Sequence, residues 1–364
     1  MTDEIRPPEP TKRADIAGRN TPLIRNQWYV VALSEEVTRI PMRRAILEQD
    51  IVLYRNQEGK AISLQNRCAH RSYPLHLGTL NGDNIVCGYH GFEYDTEGRC
   101  AHVPSLGTRR RPTIRIQPYP VAEIGPFIWI WAGDPAAIDY DKLIKQPWFT
   151  ESGWRYVSGY FPIEANYLGM HENLFDLTHF PFLHGFAKGH VELARQRAKV
   201  EALPDRVVSR RVMPNYPTPP AMQRVMEFQG PITEQATSIC QTPAMHYSEV
   251  KIVDSSNPPR TMTRYIVHCV TPETVAKTHY YWAISRDGAL NSQEIDEETK
   301  LRANETFHED RVALEEIERI AMRDCRPNFG ETIVASDTGG IQALRLLARM
   351  AEAEAGMSSP AAPK

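Results

Sequence analysis

Two cysteines and two histidines constrain this chain more than anything else in it: Cys68-Ala69-His70 and, after sixteen intervening residues, Cys87-Gly88-Tyr89-His90-Gly91. Four ligand-type side chains on two loops can hold a tetrahedral zinc ion. They can equally hold a [2Fe–2S] cluster, with two thiolates on one iron and two imidazoles on the other. A C-x-H pair is an awkward bite for a finger-type zinc. Gly88, Gly91 and the Asn81-Gly82 turn suit tight loops whose backbone N–H groups point at sulfide. Six cysteines in 364 residues do not make a disulfide scaffold. In a reducing cytoplasm, the default compartment for a chain with no apolar leader in Met1 to Asn20, paired cysteines hold metal more often than each other.

The segment around these loops is patterned as short strands. Trp28-Tyr29-Val30-Val31-Ala32, Ile51-Val52-Leu53-Tyr54, Ile85-Val86 and Phe127-Ile128-Trp129-Ile130-Trp131 are β-rich, and Asn81-Gly82, Gly98, Gly107 and Gly133 punctuate them. This predicts a small all-β domain over 24–134, preceded by a loose arm over 1–23. A second domain over 135–355 has a helical stretch from Glu164 to His179 and strand-like segments from Val200 to Ser285. Helices follow from Ser292 to Arg323 and from Thr338 to Ala355, so the fold class is α+β. Residues 356–364, rich in Ala, Ser and Pro, read as a disordered tail. A formal charge of −3 gives no reason to expect nucleic acid, and the most apolar run, Val121 to Ala132, is too short to cross a bilayer.

C-A-H-R with C-G-Y-H-G resembles the Rieske cluster motif. The additional cysteines of respiratory-chain Rieske proteins have no counterpart in Arg71-Ser72-Tyr73-Pro74 or Gly91-Phe92-Glu93, which points to the oxygenase branch. A second constellation agrees. In Glu172-Asn173-Leu174-Phe175-Asp176-Leu177-Thr178-His179-Phe180-Pro181-Phe182-Leu183-His184, the residues Asn173, Asp176 and His179 recur every three positions and share one face of a helix. Pro181 is the expected break that turns His184 back towards His179. Two imidazoles and a carboxylate with open positions make the facial triad of non-haem Fe(II) oxygenases. The run N-x2-D-x2-H-x4-H resembles the mononuclear iron motif of the Rieske oxygenases.

The third ligand must come from afar. His308-Glu309-Asp310-Arg311 looks like the helix that supplies an Asp ligand in the O-demethylase and dicamba-type members, which implies Asp310, with Glu309 the next choice. The resemblance runs from about Ile24 to Arg323. It implies an all-β Rieske domain, a helix-grip catalytic domain and a homotrimer in which Asp176 bridges His179 to His90 of the neighbouring subunit. It further implies oxidative O- or N-dealkylation of a small aromatic substrate with O2. Electrons would reach the chain from NAD(P)H through a separate reductase, with or without a ferredoxin, since no nucleotide-binding glycine motif is present.

Three other readings remain open on sequence: a cis-dihydroxylating dioxygenase, an electron-transfer iron–sulfur protein and a zinc hydrolase. Asn166, Tyr167, Met170 and Leu174, with His246, Tyr247, His268 and His279, are candidates for the substrate pocket. Each is equally readable as core. Cys100, Cys240, Cys269 and Cys325 read as ordinary thiols, and Arg109-Arg110-Arg111 as a solvated loop or a docking patch for an acidic ferredoxin.

Overall fold

The computed structural model describes residues 15–107, 113–323 and 331–358. The Arg109–Arg111 run and Cys325 lie outside them. Small sheets dominate the first third. Trp28–Leu33 pairs with Phe127–Trp131, which pairs with Val121–Ile124, so the first strand and the last hairpin close on each other. Met42–Ile46, Gln49–Arg55 and Ala61–Gln65 form a meander. Thr79–Asn81, Asn84–Val86, Glu93–Tyr94 and Cys100–His102 form a four-stranded sheet that carries the second Cys/His loop. The runs Trp28–Leu33 and Phe127–Trp131 are buried at every position, which their unbroken apolar sequence requires. Gly78 lets the two Cys/His loops approach, because a Cβ there would lie 2.0 Å from the Val86 carbonyl oxygen.

The larger unit is a seven-stranded antiparallel sheet. Its spatial order is Arg155–Ile163, Lys277–Arg286, Thr261–Thr274, Met245–Val253, Ile232–Thr242, Val207–Tyr216 and Lys199–Ala202. Along Ile232–Thr242 buried positions alternate with half-buried or exposed ones, the signature of a strand with one face on a core. Three helices cover that inner face: Tyr167–Phe175, Gln293–Arg323 and Thr338–Ser358. The last closes onto the first at Gly340, where a Cβ would sit 3.1 Å from the Glu172 Cα. All-β and mixed units together give the α+β class expected.

The two units share one core. Trp28 to Leu33 and Phe127 to Ala132 pack with Met245, Val267, Cys269, Tyr281 and Ala283 of the large sheet. Thr271 Oγ1 and Tyr281 Oη donate to the Val30 and Val31 carbonyls at 2.7 Å each. His279 is a structural tie, with Nε2 donating to the Ala45 carbonyl at 2.8 Å while Nδ1 accepts from Tyr160 Oη.

Several local expectations need correction. The helix of Tyr167–Phe175 stops at Asp176, which leaves helical backbone (φ −98°, ψ 98°) and caps the next turn, Leu177–His179. Asn173, Asp176 and His179 therefore do not share one continuous helix. Pro181 is not the break: it lies in the first turn of Phe180–Leu183, where its missing N–H costs nothing. At the other end, the final helix continues through Gly356 to Ser358. Nor is the described part of the arm, 15–23, loose: Ala17 is buried, and its N–H donates to the Leu344 carbonyl at 3.1 Å.

Candidate metal and substrate sites

The two Cys/His loops put their thiols inside and their imidazoles outside. Cys68 and Cys87 are buried free thiols, whereas His70 and His90 are exposed with ring centroids 4.6 Å apart. Burial pushes the Cys87 thiol up, and the Tyr89 and His90 backbone N–H groups aimed at its sulfur pull it down. Ala69 N–H donates to Tyr94 Oη at 3.1 Å, so the hydroxyl proton is free to point at Cys68 Sγ, 3.3 Å away. The neighbouring Cys68 side chain also pushes the Cys87 thiol up.

Thiols thus meet thiols and rings meet rings. Among the described residues, the only three-ligand group with atoms within 4.8 Å of one another lies elsewhere. A single tetrahedral ion would draw all four ligand atoms to within about 4 Å of each other. Separate sulfur and nitrogen pairs suit two iron atoms instead.

The compact group consists of His179, His184 and Asp310. His179 ends the Leu177–His179 turn, His184 caps Phe180–Leu183, and Asp310 is a buried position of the Gln293–Arg323 helix. The two Nε2 atoms are 3.1 Å apart, and Asp310 Oδ1 lies 3.4 Å from that of His179 and 3.5 Å from that of His184. Three donor atoms facing one point at such separations match adjacent ligands on a divalent ion with bonds of about 2.1 Å.

The surrounding polar contacts hold that arrangement. Asn173 Nδ2 donates to Asp310 Oδ1 at 3.0 Å. Glu309 lies on the far side of His184 and accepts from Nδ1 at 2.9 Å and from Gly185 N–H at 3.3 Å. Neighbouring helix residues are about 100° apart, so Asp310 and Glu309 can address opposite edges of one imidazole. Asp176 accepts from Thr178 N–H at 2.8 Å, and the buried Arg211 lies within its field. The expected hydrogen bond between Asp176 and His179 is not formed in this chain.

A cavity of about 230 Å³ opens from these ligands, between the sheet and the Gln293–Arg323 helix. Leu174, Phe180, Ile266, His268 and Phe307 are among its walls. Of the other pocket candidates, Tyr167 and Met170 belong to the core, Asn166 caps its helix, and Tyr247 packs on Trp148. His268 Nδ1 is 2.6 Å from Tyr280 Oη, and burial pushes this imidazole down to about 4. Behind it His246 is fully buried with neither ring nitrogen hydrogen-bonded.

Residues 27–120 match the Rieske [2Fe–2S] domain, and residues 163–353 match the vanillate O-demethylase oxygenase C-terminal domain. The toluene-4-sulfonate monooxygenase system iron-sulfur subunit of Comamonas testosteroni is 30% identical over 352 residues, spanning 93% of this chain and 99% of that protein. This chain belongs to the Rieske non-haem iron oxygenases.

Within that family, the dicamba O-demethylase oxygenase component of Stenotrophomonas maltophilia is 28% identical to this oxygenase, over 91% of this chain and 99% of its own length. The crystal structure of dicamba monooxygenase bound to 3,6-dichlorosalicylic acid superposes with a TM-score of 0.83 at 26% identity, covering 92% of this chain and 99% of that one. A second dicamba monooxygenase structure, with non-haem iron and dicamba, gives a TM-score of 0.79 at 27% identity over the same shares. The chain is thus an oxygenase component, and the electron-carrier and zinc-hydrolase readings fall away.

Sequence reading did not anticipate Glu309 as the partner of His184 Nδ1 or the Tyr94 hydroxyl beside Cys68 Sγ. Only Glu309 left a signal, as one of two adjacent acids on a helix.

Proposed function

We propose that this oxygenase dealkylates a small aromatic O-alkyl or N-alkyl compound. In this reading Cys68, His70, Cys87 and His90 hold the [2Fe–2S] cluster, and His179, His184 and Asp310 hold a ferrous ion. The observation that carries it is the convergence of the His179, His184 and Asp310 donor atoms at 3.1 to 3.5 Å on the wall of a mostly apolar cavity. For a methyl ether the balance is R–O–CH3 + O2 + 2 e⁻ + 2 H⁺ → R–OH + HCHO + H2O. The hydroxylated methyl is a hemiacetal that collapses to the phenol and formaldehyde. The two metal centres supply stored electrons and O2 activation when bound.

The chain's own residues do the rest. Glu309 fixes the His184 tautomer by accepting from Nδ1, which leaves Nε2 as the lone-pair donor. Asn173 takes up part of the Asp310 Oδ1 charge and sets its rotamer. Leu174, Phe180 and Phe307 exclude water from the reacting carbon. Asp176 bridges to His90 of a neighbouring subunit in a homotrimer; it is half-buried and lies outside the cavity lining. An NAD(P)H-dependent reductase, directly or through a ferredoxin, would supply electrons to the cluster that Cys68, His70, Cys87 and His90 would hold. A cytoplasmic site of action, and a division between units near Asp134, belong to the same proposal. No helix among the described residues is long and apolar enough to cross a membrane.

The test is a metal count with product analysis. The purified protein is expected to contain about three iron atoms and two acid-labile sulfides per chain. With a surrogate reductase it should release aldehyde from aryl methyl ethers or N-alkyl anilides. Two irons per chain, or a cis-diol product, would overturn the reading.

A further inference from the structure

The cavity has a second polar end, remote from the ligand cluster. His268 marks the near end, since its ring packs on Phe307 and feels the charge of Asp310. Four residues along the same strand and on the same face stands Arg264, about 13 Å away at a rise of about 3.3 Å per residue. Around it the lining includes Glu234, Ser238, Ser248, Arg286 and, from the helix, Arg302.

Every arginine of this lining already has a carboxylate. Arg264 Nη2 donates to Glu234 Oε1 at 2.7 Å. Its register partner on the next strand, Arg286, pairs with Asp296 at 2.6 Å and donates to the Gly288, Ala289 and Ser292 carbonyls at 3.1 Å each. Asp296 also receives Arg155 from outside the lining. Arg302 pairs with Glu298 at 3.0 Å. Arg211, another buried arginine of this sheet, lies towards Asp176 and is not part of the lining. Burial keeps His268 neutral.

The three arginines of the lining therefore meet three carboxylates, Glu234, Asp296 and Glu298, while the extra charge of Arg155 lies on the solvent side. The far end is rich in donors. A guanidinium has five N–H groups. In Arg264 one meets Glu234, and the buried Nε has no partner. The Ser238 and Ser248 hydroxyls are 2.7 Å apart, so one proton serves that bond and the other is left to donate. An anion entering here meets no unpaired cation and lies beside the Glu234 carboxylate in a low-dielectric space, where like charges repel strongly. A neutral acceptor takes the spare N–H groups without disturbing the balance.

We propose that the substrate is an uncharged aromatic whose carbonyl, amide or ether oxygen docks on Arg264, with its alkyl group at the Asn173, Phe180 and Phe307 end. This rests on the dealkylase reading for the chemistry at the other end. Arg264 and Glu234 together set the charge selectivity, Arg264 by its spare donors and Glu234 by repelling an anion.

The experiment measures equilibrium binding of 4-methoxybenzamide and 4-methoxybenzoate to the iron- and cluster-loaded full chain, without O2, by calorimetry. Formaldehyde release is followed in parallel with O2 and a surrogate reductase. The amide is expected to bind at least about tenfold more tightly than the isosteric acid. Glu234→Gln should reverse that order by freeing the Arg264 charge. The double variant Arg264→Leu/Glu234→Leu, which removes both the donors and the repelling carboxylate, should abolish the preference. Cluster absorbance and iron content confirm that each variant is folded. Tighter binding of the benzoate to the wild type, equal binding, no binding of either, or a Glu234→Gln variant with unchanged selectivity overturns the proposal. Formaldehyde from the acid alone would sink the uncharged substrate and leave the dealkylase standing. Tight amide binding with no O2-dependent formaldehyde would do the opposite.

Discussion

Glu309 accepts a hydrogen bond from His184 Nδ1 at 2.9 Å. The opposite edge of that ring faces Asp310, so consecutive acids on one helix grip one histidine from two sides. Removing the outer acid should leave the ligand set intact but poorly oriented. Glu309→Gln retains an acceptor, and Glu309→Leu does not. We expect the Leu variant to bind ferrous ion about 10–100-fold more weakly, and the Gln variant to fall between it and wild type. Chelator competition on the reduced protein measures this. Unchanged affinity in the Leu variant would show that packing alone holds the imidazole.

Asp310→Ala removes the inner acid. The expected result is loss of the mononuclear iron with the cluster spectrum unaltered, because Cys68 and Cys87 belong to a separate buried cluster of the small sheets. Full iron occupancy in this variant would move the ligand role elsewhere, Glu309 first.

Asp176→Asn tests the proposed contact with His90 of a neighbouring subunit. Asparagine can still accept from Thr178 N–H as asparagine caps do, so the turn that places His179 survives. Cluster reduction should proceed normally while product formation falls by orders of magnitude. Near-normal turnover would remove Asp176 from the route between centres.

At the cluster loops, Tyr94→Phe deletes the hydroxyl 3.3 Å from Cys68 Sγ, whose proton is free to donate to that sulfur. A donor to a cluster sulfur stabilises the reduced, more negative state. The variant should therefore have a lower reduction potential, read by redox titration of the cluster absorbance. A rise in potential would mean that the hydroxyl does not donate to sulfur.

Much of this was legible in the chain because metal ligands come in tight, local spacings. Cys68 with His70, Cys87 with His90, and His179 with His184 are each within five residues. The all-apolar runs at Trp28 and Phe127 announced their strands for a similar reason, since only a strand buried on both faces tolerates them. What stayed hidden depends on contacts far apart in sequence. Asn173 meets Asp310 across 137 residues and Arg264 meets Glu234 across 30. The break in the ligand helix was misplaced because Pro181 is a loud signal. Asp176, as a side-chain cap, is a quiet one.

The buried histidines make stability depend on pH. Burial pushes His171, His268 and His279 each down to about 4, and His246 well below its usual value. In the unfolded chain these imidazoles take up protons below about 6.5, while in the folded chain they stay neutral. As pH falls from about 6.5 towards 4 the unfolded state binds more protons, so stability is lost across that window at about 1.4 kcal/mol per pH unit for each fully engaged group. His246 tests the cause most sharply. It faces Cys240 and His268 in register on the two adjoining strands, packs at a tilt against Phe175, and satisfies neither nitrogen. His246→Leu keeps an apolar filler and deletes two unpaired polar atoms, which should raise stability by about 1–3 kcal/mol at neutral pH. It should also make the acid slope shallower by one group. Urea unfolding at pH 7.5 and pH 5 measures both effects. A variant less stable at pH 7.5, with the acid slope unchanged, would show that the imidazole is hydrogen-bonded in solution.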